Sequence, residues 1–279
     1  MLTPIKTPCG QEWYGIAVSP KYAMAEMTWP ELRQAVRDGR VAVVPVGTIE
    51  QHGPHLPLDT DIYLAQEITA RAAALTPERV VLVPPIVHGH SPHHMDFPGT
   101  LSVDAQHMLD YVLDVCLSLT HHRFEKLLLV NGHGSNAPIL DLVARQTIIR
   151  TQGHAACASI FYMQSPEWEG AVRETFPGVG NWSGHADAIE TSMYMALRPG
   201  SVELGEAQDD PWEGPMDLGT ARLPLRLWWS SLSKQGIYGK VSDASETKGK
   251  QLVAAAVEGL ARIFVDFHAR VIPKRVDHH

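Results

Sequence analysis

Val41-Ala42-Val43-Val44-Pro45-Val46-Gly47 is a short apolar, mostly β-branched run ending in glycine, and Thr48-Ile49-Glu50-Gln51-His52 follows it at once. A strand that is apolar at every position, instead of at alternate ones, is buried on both faces, as strands are in a parallel sheet covered by helices. Val80–Val83, Leu127–Val130 and Ala155–Phe161 repeat the pattern. Between and after these runs the spacing predicts helices at 28–38, Thr60–Leu75 with Thr60 as N-cap candidate, 103–121, 136–152, 186–197 and 243–270. The alternation predicts an α/β fold: three layers, α/β/α, around a mostly parallel central sheet, in a single domain over 1–279. Residues 201–240 break the rhythm with Trp212, Trp228, Trp229, several prolines and several glycines. They read as an excursion from the core, serving as an oligomer contact or as a wall of the active site.

In such sheets ligands bind beyond the carboxyl ends of the strands. The polar clusters lie there: Gly47 to His52 after one strand, His88-Gly89-His90 after another, Asn131-Gly132-His133 after a third. Composition narrows the function classes further. Of the 279 residues, 44% are hydrophobic and 19% charged, which excludes a disordered chain. A net charge of −8 offers no basic face to nucleic acid or to an anionic membrane. Three scattered cysteines, Cys9, Cys116 and Cys157, argue against a disulfide framework and against a cysteine zinc site. With no signal-like N-terminus and no apolar run long enough to span a bilayer, a cytoplasmic protein is expected.

Fifteen histidines crowd into a few stretches. Glu50 and His52 are two apart and project to one side of an extended segment; Asp59 and Asp61 follow after a Pro-containing loop that can fold back. Carboxylate, imidazole and second carboxylate suit Zn²⁺ or Mn²⁺, and Asp61 is a candidate bridge between two ions. Glycines flank His133, letting backbone approach a ligand, while Ser135 or Asn136 is expected to cap the next helix. Asp187 reads as a dipole partner of a helix N-terminus; Glu190, deeper in an apolar helix, needs a partner such as a metal. Within the His88–His94 group one or two histidines are expected along the substrate pocket. His107 reads as an ordinary helical residue, and His278 and His279 as a frayed end.

Glu50-Gln51-His52-Gly53-Pro54-His55 with Asp61, Phe97-Pro98-Gly99-Thr100, Asn131 through Asn136, and His185 through Glu190-Thr191-Ser192 resemble the creatininase (creatinine amidohydrolase) family. The motifs occur in the family's order over 41–198. The resemblance implies a homo-oligomer, often a hexamer, and two divalent ions per subunit, Zn²⁺ or Mn²⁺ with Fe²⁺ in some members. It implies metal ligation by Glu50, His52, Asp61 and His133. In creatininase a further carboxylate ligand stands two positions after the histidine matching His133; Ser135 occupies that place here, which shifts the expected ligand to Glu190. His185 is then the expected acid/base that delivers a proton to the leaving nitrogen. His94, Thr100, Ser135 and Trp182 are expected at the substrate.

The expectation is a metal-dependent amidohydrolase that cleaves a cyclic or linear C–N amide bond of a small molecule, with no nucleic-acid or membrane partner. A formamide hydrolase or peptide-trimming member of the same family is the alternative among enzymes. A non-catalytic metal-binding oligomer is the alternative outside them.

Overall fold

The computed structural model describes residues 20–178, 184–210 and 227–279, and the backbone of a short antiparallel pair, β1 (Ile5–Lys6) and β2 (Glu12–Trp13). Helix α1 (Trp29–Arg37) starts on a capping box: the Thr28 N–H donates to Glu31 Oε2 at 2.7 Å, with a proline in the first turn. The main sheet contains β3 (Val41–Val46), β4 (Val80–Leu82), β5 (Lys126–Asn131) and β6 (Ala156–Phe161), in the order β4-β3-β5-β6, all parallel. Its connecting helices are α2 (Thr60–Leu75), α3 (Ala105–His121) and α4 (Ala137–Arg150).

Every residue of β3 is buried because alternate side chains enter two different cores. Val41 and Val43 face one core with Leu64 and Ile68 of α2 and Leu252 and Phe264 of α8 (Glu246–Ala269). Ala42, Val44 and Val46 face the other with Met108 and Val112 of α3 and Leu140 and Val143 of α4. Each fully buried aliphatic side chain contributes about 1.5–3 kcal/mol relative to exposure, so both layers hold the sheet. The long α8 lies across α2, α5 (Pro166–Thr175) and α6 (Ala188–Leu197). The expected three-layer α/β/α arrangement is therefore present.

Differences from the sequence expectations are local. Asp59, not Thr60, is the N-cap of α2; the Thr60 hydroxyl turns back to Pro57 O at 2.7 Å. Neither Ser135 nor Asn136 caps α4 through its side chain. Asn136 instead donates to Gly47 O at 3.1 Å and accepts from His90 N at 3.0 Å, tying three loops together. Helix α5 is not among the expected elements, although Ser165-Pro166 is a start signal and Ser165 Oγ accepts from Trp168 N. In the 201–240 excursion a short helix, α7 (Trp229–Leu232), is present; Trp212 and Trp182 lie outside the described residues.

Two glycines let α2 meet the strand ends. A Cβ on Gly47 would lie 2.5 Å from Ile62 Cα, and one on Gly132 would lie 2.5 Å from Asp61 O and 2.8 Å from Ala65 Cβ. Gly132→Ala must push back the helix turn that carries Asp61. It is expected to cost about 1–3 kcal/mol, read by denaturant unfolding, and to weaken metal retention. Unchanged stability would show that the contact is slack.

Candidate metal centre

The carboxyl edge of the sheet gathers the expected residues from four elements. Glu50 and His52 leave β3, Asp61 opens α2, His133 leaves β5, and Glu190 sits in the first turn of α6. All five are buried. His52 Nε2 lies 3.1 Å from Asp61 Oδ1 and 3.8 Å from Glu190 Oε2. His133 Nδ1 lies 2.9 Å from Asp61 Oδ2, and its Nε2 3.3 Å from Glu50 Oε2. Asp61 thus stands between the two imidazoles.

Local backbone aims these groups. His185 is held to Tyr238 by a pair of backbone hydrogen bonds, 2.9 and 2.8 Å. Ala186 then takes a left-handed conformation (φ 52°), which costs on the order of 1–2 kcal/mol, and its N–H donates to Glu190 Oε2 at 2.7 Å. Asp187 caps α6 by accepting from the Ile189 and Glu190 N–H groups, the structural role expected for it.

Three carboxylate oxygens, Glu50 Oε1, Glu50 Oε2 and Asp61 Oδ2, are buried without a hydrogen-bond partner. Imidazole nitrogens lie 2.9–3.3 Å from them, but out of line for an N–H to donate. Buried carboxylates are normally satisfied, so the donor set fits cations placed between the groups. Glu50, His52 and Asp61 bring one ligand atom each within 4.8 Å of one another, as do His52, His185 and Glu190, and Glu50, His94 and His185.

Charge follows the same geometry. Burial opposes charge on His52, but Asp61, Glu190 and Glu50 outweigh it and push its pKa up to about 10. Burial also opposes charge on His133, where Glu50 and Asp61 prevail and lift it to about 9. Burial raises Glu50 to about 7 and Glu190 to about 8. Without ions the cluster therefore stores protons that a metal must displace. Zn²⁺ uptake at pH 7 is expected to release protons and to weaken on acidification. Titration calorimetry in buffers of different ionisation enthalpy reads the number; a proton-neutral uptake would contradict the assignment.

The centre opens into a cavity of about 650 Å³. His94 and Ser135 line it. Thr100 does not: buried behind the loop, its hydroxyl accepts from Gln51 N at 3.1 Å. Leu227, Trp228, Trp229 and Leu232 form an apolar wall, so this part of the Trp-rich excursion lines the cavity. Three features carried no clear sequence signal. Trp229 stacks on His94 (centroids 4.7 Å apart, 20° between planes). Gln51, unmentioned among the candidates, contacts both His94 and His185. His94 itself reaches Glu50 Oε1 at 3.3 Å. His88 and His107 are exposed and away from the centre.

The family model described as creatinine amidohydrolase matches residues 25–264. The chain belongs to the creatininase family. It is similar to the creatinine amidohydrolase of Pseudomonas putida, 27% identical over 263 residues, covering 88% of this chain and 96% of that one. A 3-dehydro-scyllo-inosose hydrolase of Thermotoga maritima is 27% identical, covering 88% and 83%. A mycofactocin precursor peptide peptidase of Mycobacterium tuberculosis is 29% identical, covering 79% and 82%. Among solved structures, a mutant creatininase of the Zn–Zn type superposes with a TM-score of 0.75 at 25% identity, covering 90% of this chain and 99% of that one. As a creatininase-family member the chain is a hydrolase acting on carbon–nitrogen bonds of the amide kind. Among the described residues no helix is long and apolar enough to cross a membrane.

Proposed function

We propose that this creatininase-family member is a two-metal amidohydrolase that opens a C–N amide bond, of the cyclic-amide or lactam type, in a small molecule. The supporting observation is the trio of unpartnered buried oxygens on Glu50 and Asp61. Glu50, His52, Asp61, His133 and Glu190 would hold two divalent ions, Zn²⁺ and/or Mn²⁺ with Fe²⁺ as a third option, Asp61 lying between them. Such ions, when bound, acidify a water so that hydroxide exists at neutral pH and polarise the amide carbonyl.

The rest of the chemistry belongs to side chains. Burial and the neighbouring His52 hold His185 well below the ordinary imidazole range, so it is neutral at pH 7. His185 accepts a proton from the attacking water and returns it to the departing nitrogen. His94 and Ser135 hold the polar end of the substrate, and the Trp228–Trp229 wall excludes water from the other side.

Trp228 is half exposed, so truncating it leaves the core intact. Trp228→Ala is expected to raise KM about 10-fold with kcat little changed. A steady-state comparison checks this, and an unchanged KM would remove Trp228 from the substrate wall.

Likeness to the M. tuberculosis peptidase supports a second reading, a peptide-trimming or formamide-cleaving enzyme built on the same centre. A screen of lactams, hydantoin-like rings, formamides and short peptides with Zn²⁺ or Mn²⁺, read by product mass, separates them. Turnover of none would overturn the proposal. The proposal includes one creatininase-like unit over 1–279, cytoplasmic residence and a homo-oligomer, a hexamer by family resemblance. Light scattering tests the last against the 30.7 kDa mass of one chain.

A further inference from the structure

Gln51 is buried between two histidines of the cavity, and its hydrogen bonds close in only one way. Its side-chain Oε1 accepts from the Gly53 N–H at 3.0 Å, and its Nε2 lies 3.1 Å from Gly236 O. Reversing the amide would set oxygen against oxygen at Gly236 and donor against donor at Gly53, so its orientation is fixed. Nε2 carries two protons. Three atoms are within reach of it: Gly236 O, His94 Nδ1 at 2.9 Å and His185 Nε2 at 3.0 Å.

The backbone of the same residue resolves the competition. His185 Nε2 lies 2.8 Å from Gln51 O, an acceptor only. A bare Nε2 would press lone pair on lone pair, so this nitrogen bears the proton and donates to Gln51 O. The two Gln51 N–H groups then go to Gly236 O and His94 Nδ1, and the approach of Gln51 Nε2 to His185 Nε2 at 3.0 Å is a side-by-side contact of two donors that each bond elsewhere. The Thr100 hydroxyl accepts from the Gln51 N–H and holds the backbone in place.

We infer that Gln51 is a positioning residue that sets the two imidazoles in opposite roles. His185 presents a bare Nδ1 to the centre, 3.7 Å from Glu50 Oε1. His94, its Nδ1 engaged as an acceptor, presents a proton-bearing Nε2, 3.3 Å from the same oxygen. A nitrogen that holds a proton has no lone pair for a cation. His94 is thereby excluded from metal ligation, although Glu50, His94 and His185 are close enough to form a ligand triad. It becomes a hydrogen-bond donor toward the substrate carbonyl. Assigning the protons requires only the geometry around Gln51; the use made of His94 rests on the hydrolase reading given above.

The test is solid-state ¹⁵N spectroscopy of histidine-labelled, Zn²⁺-loaded protein, in which protonated, bare and metal-bound ring nitrogens have separate shifts. His94→Gln and His185→Gln supply the assignments. The expected spectrum has both rings protonated at Nε2, with His94 Nε2 not bound to metal. Gln51→Leu removes the donor and is expected to let His94 populate the Nδ1–H form. Gln51→Glu, whose carboxylate accepts instead of donating, is expected to make that form dominant and to free Nε2 for metal. Circular dichroism confirms that the variants fold. A wild-type His94 protonated at Nδ1, or bound to Zn²⁺ through Nε2, would overturn the inference, as would a His94 signal indifferent to both variants. Zinc content is measured on the same samples. Protein that retains no zinc but shows the stated proton positions contradicts the two-metal reading alone.

Discussion

Asp61→Asn is expected to strip metal from the protein and to lower kcat/KM by roughly 10³-fold or more. Among the described residues Asp61 is the one carboxylate placed against both His52 and His133, at 3.1 and 2.9 Å, and His52 and His133 hold its carboxyl well below the usual range against the effect of burial. Asparagine keeps the volume but loses the charge that, on the proposed reading, would hold two cations. The ions' stabilisation of developing charge amounts to several kcal/mol, and about 4 kcal/mol corresponds to the expected factor. Asp59→Asn is the control. Asp59 accepts from Tyr194 at 2.6 Å and Arg198 at 3.2 Å, away from the imidazoles, so its substitution is expected to lower stability slightly and leave metal content unchanged. Metal analysis and steady-state kinetics on both variants decide the matter. Equal metal content in Asp61→Asn and wild type would refute the bridging assignment.

His185→Ala has the second-largest expected effect. Loss of a positioned acid/base group costs about 10²–10⁴-fold in kcat, with both metals retained. The ring is buried against His52, at a centroid distance of 4.2 Å, and against Trp229 at 4.9 Å, so alanine also opens a small cavity and lowers stability. Two outcomes would contradict the assigned role. A marginal change in turnover would show that another group moves the proton. Loss of one metal would show that His185 is a ligand, an arrangement that the closeness of His52, His185 and Glu190 also permits.

The fold was legible wherever burial acts on both faces of a strand. The runs at 41–46 and 127–130 are apolar at each position because two helical layers cover them, and this pattern does not arise in a strand with one wet face. Helix limits were legible where a side chain stops the backbone, as at Thr28, whose capping box with Glu31 starts α1 within a residue of the expected 28–38 span, whereas α8 starts after its Ser245 cap, inside the expected 243–270. They drifted where the cap was ambiguous: Asp59 and Thr60 are both good caps, and the Tyr194 and Arg198 contacts that hold the Asp59 side chain come from a distant helix.

In the candidate centre, Glu50, His52 and His133 stood out because acidic and imidazole residues closely follow buried strands, and Asp61 because a Pro-containing loop can fold it back toward them. Their convergence depends on the sheet order, which brings β3 beside β5. His94 was expected at the substrate from the family resemblance, but the residues alone showed it only as one of several crowded histidines. What separates it from exposed His88 is a turn that folds Pro92–His94 back under Trp229, a residue more than 130 positions away. Gln51 was illegible for a different reason: its value lies in two protons whose destinations are set by Gly53, Gly236 and His185 together. Nothing local in Glu50-Gln51-His52 reveals that balance.

Anomalous diffraction at the zinc edge from crystals grown with Zn²⁺ tests the central claim most directly. Two peaks about 3.5–4 Å apart are expected on either side of the Asp61 carboxylate, one also touching Glu50 and His133, the other His52 and Glu190, with none on His94. A single peak, or peaks bound away from Asp61, would contradict the account.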